Sequence, residues 1–251
     1  MKSVKFPKQH GAWAFLIVPL LLGSFLGSAN WVGSVFALTW ITAYPVSYFG
    51  GRAFLTRVRR GSWTTRARSE LRSAIPWASI ALIGAIALVV MRPWILMPGA
   101  LIAALWSVSI YLSWLGRERG ITNDLLLVVL ASVAPVLMYS VANDQRSLNL
   151  VPRSIWVAAV VSLLFFVSSV LHVKALIRGA KDRRWHIVSI GFHVVALLAL
   201  VLATHWWLVI PFTLALGRTV VMKPGLRPGK IGAIESVVAL FVVICTVVAG
   251  V

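Results

Sequence analysis

Apolar runs of membrane-spanning length recur from Ala12 to the C-terminus, and basic residues collect in every second gap between them. The gap 51–72 carries Arg52, Arg57, Arg59, Arg60, Arg66, Arg68 and Arg72, whereas the gaps around Asn30 and Arg92 carry almost none. Hydrocarbon offers no partner to a backbone N–H or C=O, so each run must close its hydrogen bonds within itself, as a helix does. The alternation of charge is the positive-inside pattern of a polytopic membrane protein.

Composition narrows the class further. Hydrophobic residues make up 60% of the 251 and charged residues only 12%, too few to cover a soluble domain of this size. The net charge of +18 is compatible with nucleic acid, but the basic residues lie in short gaps between spans and form no basic domain or tail, so no nucleic-acid partner is expected. The single cysteine, Cys245, sits in the last apolar run and can form no intrachain disulfide; it reads as a small lipid- or core-facing residue. At the N-terminus, Lys2, Lys5 and Lys8 followed by an apolar run are compatible with a signal peptide. The run 12–29 is long enough to span, and Gln9-His10-Gly11-Ala12-Trp13 is a poor signal n-region, so this run reads as the first span.

Nine runs approach the roughly 20 residues that a spanning helix needs: 12–29, 32–50, 73–91, 94–115, 121–142, 154–177, 186–203, 206–222 and 231–250. The fold expected is all-α, a single integral membrane domain over 1–251 with nine transmembrane helices. With the N-terminus inside, 21 of the 24 Lys and Arg fall on the cytoplasmic side, and Arg92, Arg146 and Arg153 fall on the other. That bias predicts a cytoplasmic N-terminus, an external C-terminus and a place in a bacterial cytoplasmic membrane, with 51–72 as a cytoplasmic loop. Trp31, Trp94, Trp156, Trp206 and Trp207 fall at the outer ends, and Trp13, Trp114 and Trp185 at the inner ends, where a half-buried indole keeps its N–H wet.

Polar residues that enter the spans are the candidates for function. Tyr44, Tyr48 and Arg52 are spaced four apart and share one face of the second helix, with Pro45 between them. Lys174, Arg178 and Lys181 or Asp182 share a face at the end of the sixth helix, while His172 points elsewhere. Snorkelling and helix–helix hydrogen bonds account for both clusters as well as a cytoplasmic pocket for an anionic headgroup does. His10 precedes the first span and can reach over such a pocket. His193 reads as a hydrogen-bonded packing residue, and Glu235 as one half of an ion pair with Arg218 or Lys230. Thr122, Asn123 and Asp124 open the fifth helix and read as caps for its free N–H groups.

The stretch Pro7-Lys8-Gln9-His10-Gly11-Ala12-Trp13, with Pro19 and Gly23 after it, resembles the opening of the YwiC-like family of bacterial integral membrane proteins. Leu171-His172-Val173-Lys174-Ala175-Leu176-Ile177-Arg178 resembles a later segment of the same family. The broader architecture is similar to the UbiA superfamily of intramembrane prenyltransferases, which have nine helices, an internal N-terminus and active-site segments after helices two and six. The segment from Tyr111 to Thr122 is similar to their connection between helices four and five.

One departure limits what that second resemblance implies. UbiA enzymes hold a magnesium-bound prenyl diphosphate with two aspartate-rich motifs, and magnesium wants hard oxygen ligands. The chain has six acidic residues, Glu70, Glu118, Asp124, Asp144, Asp182 and Glu235, and none lies between Tyr44 and Arg68. No metal site and no cofactor is expected, and arginine and lysine stand where the aspartates would. The resemblance therefore implies a divergent enzyme acting on an isoprenoid or lipid phosphate. In it Arg52, Tyr44, Tyr48, Lys174 and Arg178 bind the substrate, and His172 or His10 transfers protons. The alternatives are a non-catalytic protein that binds or moves an anionic lipid, with membrane lipids as its partners, and a small-solute carrier. No pair of broken helices of the transporter kind supports the carrier.

Overall fold

The fold follows from how each apolar run starts and stops. In the computed structural model the described residues are 5–7, 10–27, 29–177, 179–203 and 205–250, the side chain of His10 excepted. Among them the chain forms α1 (His10–Leu26), α2 (Trp31–Arg60), α3 (Thr65–Met91), α4 (Leu96–Trp114), α5 (Ile121–Ser132), α6 (Ala134–Asn143), α7 (Arg153–Ile177), α8 (Arg183–Leu202), α9 (Trp206–Val221) and α10 (Pro228–Ala249). The expected run 121–142 is broken only at a turn between α5 and α6, so the nine runs become nine helical segments. Seven are long and apolar enough to cross a membrane, and two, Gly11–Leu26 and Trp206–Val221, are shorter. The protein is a multi-pass helical membrane protein.

The stretch 51–72 is not the loop expected from its arginines. α2 continues ten residues past its apolar portion, and α3 begins at Thr65. Arginine is a good helix former, and a helix that leaves the bilayer loses nothing by continuing into water. The turn is set by small residues. Gly61 takes φ 66°, the left-handed conformation that closes helices, and the Thr64 hydroxyl accepts the Ala67 N–H at 3.1 Å to open α3. A charged helical hairpin results, and Arg59 lies on a helix rather than in a solvated loop.

Two compact units divide the chain: residues 1–9, 29–130 and 137–150 form the first, and 10–28, 131–136 and 151–251 the second. In the first, α2 and α3 pack along their length, and α4 contacts α2. Asn30 caps α2 by accepting the Gly33 N–H and donates from Nδ2 to the Ala142 carbonyl, both at 2.9 Å. Arg92 donates to the Val141 carbonyl at 3.1 Å and lies 3.4 Å from Asp144, which also accepts the Trp94 indole N–H. Trp106 on α4 donates to Ser47 on α2 at 3.1 Å. In the second unit, α7, α8, α9 and α10 pack as neighbours, and α1 lies against α7 and α10. Its core holds Phe165, Phe166 and Phe212, with Phe15 of α1 stacked on Phe166 at 4.4 Å.

Candidate functional site

An ionisable side chain inside hydrocarbon must find a partner, so the buried charges mark where each unit can do chemistry. In the second unit four helices bring such groups together. Arg218 comes from the last turn of α9, Glu235 from two turns into α10, and Ser169 and His172 from α7. Arg218 and Glu235 form a close ion pair through Nη1 and Oε1. Ser169 donates its hydroxyl to the other carboxylate oxygen at 2.5 Å. The Arg218 guanidinium also lies 5.9 Å from the Phe165 ring centroid, a cation–π approach that tolerates its desolvation. His172, with no exposed surface, places Nε2 3.8 Å from Glu235 Oε1. On α8, His193 donates from Nδ1 to the Ser189 carbonyl at 2.7 Å, because a carbonyl can only accept. That leaves Nε2 as the acceptor nitrogen, 3.2 Å from the Thr219 hydroxyl, whose single hydrogen is shared with the Ala215 carbonyl at 2.8 Å. The expected ion pair of Glu235 and the expected packing role of His193 are both present.

In the first unit the stripe on α2 is built as the spacing suggested. Tyr44 and Tyr48 lie with ring centroids 6.3 Å apart, and Arg52 donates to the Tyr48 hydroxyl at 2.7 Å. Arg52 also meets Glu70 of α3 at 3.1 Å, a partner the sequence reading did not assign. One to two turns further along, the hairpin forms a cleft of about 450 Å³ lined by Thr56, Arg59, Arg60, Thr64 and Arg66. Three guanidinium groups and two hydroxyls line it, and no carboxylate does. Arg59 also reaches across to donate to the Ser113 carbonyl at the end of α4, at 3.3 Å.

The remaining expected site residues divide as follows. Lys174 is buried on α7, in the second unit, with Nζ 5.8 Å from the Trp185 ring centroid. Trp185 in turn packs on Gly179, where an added Cβ would lie 2.3 Å from the indole. His172 faces Glu235, a different side of α7 from Lys174, as its spacing implied. Arg178 and the His10 side chain lie outside the described residues. Asn123 corrects one expectation. Its Nδ2 donates to the Glu118 carbonyl at 2.8 Å, so it ties down the loop before α5 instead of capping the helix N–H groups.

A family model described as YwiC-like protein matches residues 6–139. The chain belongs to the YwiC-like family. An uncharacterised protein of Haemophilus influenzae is 26% identical over 245 residues, covering 95% of this chain and 96% of that protein. The uncharacterised protein YwiC of Bacillus subtilis is 27% identical over 198 residues, covering 77% of this chain and 75% of that one. No solved structure matches the chain significantly. The YwiC-like match takes in α1 to α5 and much of α6, hence Arg52, Glu70 and the arginine cleft. His172, Arg218 and Glu235 lie beyond it, in a part of the chain that the Haemophilus relative also spans.

Two features escaped the sequence. Glu70 pairs with Arg52 because the turn at Gly61 places both nine residues from the bend, a symmetry visible only once 51–72 is read as helix. The contact of His172 with Glu235 joins residues far apart in the chain, and no local spacing announces it.

Proposed function

We propose that this membrane protein binds the phosphate of an anionic lipid in the arginine cleft at the tip of the α2–α3 hairpin, and that this end faces the cytoplasm. The observation that carries the reading is the cleft of Thr56, Arg59, Arg60, Thr64 and Arg66 and its depth along α2. At about 1.5 Å per residue, Arg52 lies about 32 Å along the helix from Trp31, and Arg59 about 42 Å. A hydrocarbon core of about 30 Å, or about 40–45 Å with headgroups, puts Arg52 at the edge of the core and Arg59 at phosphate level when Trp31 sits at the opposite interface. Guanidinium forks match phosphate oxygens, and the Thr64 hydroxyl, which accepts the Ala67 N–H, keeps its own hydrogen to donate, while Thr56 already donates to the Arg52 carbonyl. The charge bias of the gaps supports the cytoplasmic side for this end, with the N-terminus inside and the C-terminus outside.

Binding is favoured over metal-assisted prenyl transfer by the state of the carboxylates. Glu70 is engaged by Arg52, Glu118 by Arg119, Asp144 by Arg92, Asp182 by the Arg184 N–H and Glu235 by Arg218. Asp124 has an interaction partner as well. A magnesium–diphosphate cage would have to break such contacts before it formed. His172, the proposed proton-transfer residue, faces Glu235.

The test uses full-length protein in nanodiscs of phosphatidylcholine doped with phosphatidylglycerol, read by native mass spectrometry. Arg59→Ala/Arg60→Ala/Arg66→Ala should lose most retained phosphatidylglycerol, about tenfold or more for three charge-assisted contacts. Arg146→Ala, at the opposite end of the first unit, should retain it. Arg52→Ala should cost less than Arg59→Ala, because Glu70 already neutralises Arg52. Equal retention by the triple variant and the parent overturns the reading. Competition by inorganic phosphate alone at millimolar concentration would assign the cleft to a free anion.

A further inference from the structure

The residues His172, Glu235, Arg218 and His193 do not line the arginine cleft, and their hydrogen bonding is incomplete in a specific way. Both ring nitrogens of His172 are buried and have no hydrogen-bond partner among the described residues, nor have Nε and Nη2 of Arg218. In either neutral tautomer of His172 one ring nitrogen is a bare lone pair with no donor aimed at it. With the proton on Nδ1, two proton-accepting atoms, Nε2 and Glu235 Oε1, lie 3.8 Å apart. A buried polar group left in that condition is costly. A proton placed between those two atoms would convert the contact into a charge-assisted one.

We propose that His172 and Glu235 form a membrane-buried proton-binding site, with Arg218 as its fixed counter-charge. Taking up a proton makes an N–H bond at His172 Nε2 or an O–H bond at Glu235 Oε1 and breaks one O–H bond of the hydronium that delivers it. No electron moves, and the proton belongs to the pair rather than to either residue. With both histidines neutral, the cluster of Arg218 and Glu235 carries no net charge, and uptake makes it cationic.

α7 contributes His172 and the Ser169 hydroxyl; α8 contributes His193, whose ring lies 6.5 Å from that of His172, and His186, close enough to act on it electrostatically. α9 contributes Arg218 and the Thr219 hydroxyl, and α10 contributes Glu235. α1 carries no titratable side chain between Gly11 and Leu26. His172 stands five residues from the end of α7 and Glu235 seven residues into α10, so the site lies within two turns of the basic end of this unit. Protons therefore enter from the side that carries Lys181, Arg183, Arg184, Lys223, Arg227 and Lys230.

The experiment is a pH titration of the full-length protein in phosphatidylcholine nanodiscs with two readouts: ring-nitrogen NMR of isotope-labelled histidine, and the infrared C=O band of a protonated carboxyl group. The expected result is uptake of one proton per chain, seen as an imidazolium signal that disappears in His172→Asn or as an acid C=O band that disappears in Glu235→Gln. Arg218→Leu/Glu235→Leu, with apolar side chains replacing the charged pair, should abolish the uptake in a protein that still folds. A folded parent protein whose buried imidazoles and carboxyl keep one protonation state across the titration overturns the proposal, and this readout needs no variant to fold.

Discussion

Arg52 of α2 and Glu70 of α3 meet at 3.1 Å across a hairpin whose turn at Gly61 lies nine residues from each. The pair is partly exposed, with Arg52 also holding the Tyr48 hydroxyl at 2.7 Å. Three groups at the edge of the apolar portion thus fix the register of two helices just before they leave the hydrocarbon. A double-mutant cycle on Arg52→Ala and Glu70→Ala should give a coupling of about 1 kcal/mol, at the upper end for exposed pairs because the geometry is direct. Raising the salt should reduce it. Additive single-variant costs, measured by chemical unfolding in detergent, would reduce the contact to coincidence.

Above that pair the hairpin remains helical, which separates it from an arginine-rich loop. Single cysteines placed through 51–60 should label with a period near 3.6 residues, the side facing α3 being protected. Uniform labelling would restore the loop. Reporter fusions after Gly61 and after Arg146 should fall on opposite sides of the membrane, and the Gly61 fusion should report the cytoplasm. The same side for both would overturn the proposed orientation.

Close helix approach in the first unit depends on Gly84. A Cβ added there would lie 2.1 Å from the Thr39 hydroxyl oxygen of α2, which donates to the Val35 carbonyl at 2.7 Å. Small residues at such crossings let two backbones approach in a membrane, where no hydrophobic effect drives the helices together. Gly84→Leu should destabilise the protein by about 1–3 kcal/mol through overpacking. Thr39→Ala in the Gly84→Leu background should recover part of that loss, which thermal inactivation of the detergent-solubilised protein would register. Recovery of nothing would mean that α3 had shifted rather than collided.

What the sequence made legible was what hydrocarbon enforces. Run length and apolarity located the nine helical segments, because a backbone in a bilayer has few alternatives. The four-residue spacing of Tyr44, Tyr48 and Arg52 located a stripe that exists. Segment 51–72 departs from the expected loop because positive charge does not by itself mark a loop, and arginine favours helix once the chain reaches water. Gly61 and Thr64 were the local signals that corrected it. The pairing of Glu235 with Arg218 was accessible from scarcity, since six acids must serve 24 Lys and Arg, and a buried one has to choose a neighbour. Its contact with His172 was not accessible, because helix order does not say which faces of α7 and α10 meet.

The ion pair of Arg218 and Glu235 should behave as buried pairs do, costly to break and cheap to replace. Arg218 is 9% exposed and Glu235 7%, and Glu235 also accepts the Ser169 hydroxyl. Removing one partner strands a charge in a medium that cannot solvate it, so Arg218→Leu or Glu235→Leu alone should cost about 3–5 kcal/mol. The double variant removes both charges and fills the space with apolar carbon, and it should recover most of the loss. Ser169→Ala should cost about 1 kcal/mol in the parent and nothing measurable in the double variant, because its acceptor is then gone. Unfolding in mixed micelles measures all six proteins on one scale. A double variant no more stable than the singles would show that the pair holds α9 and α10 together by geometry that leucine cannot supply.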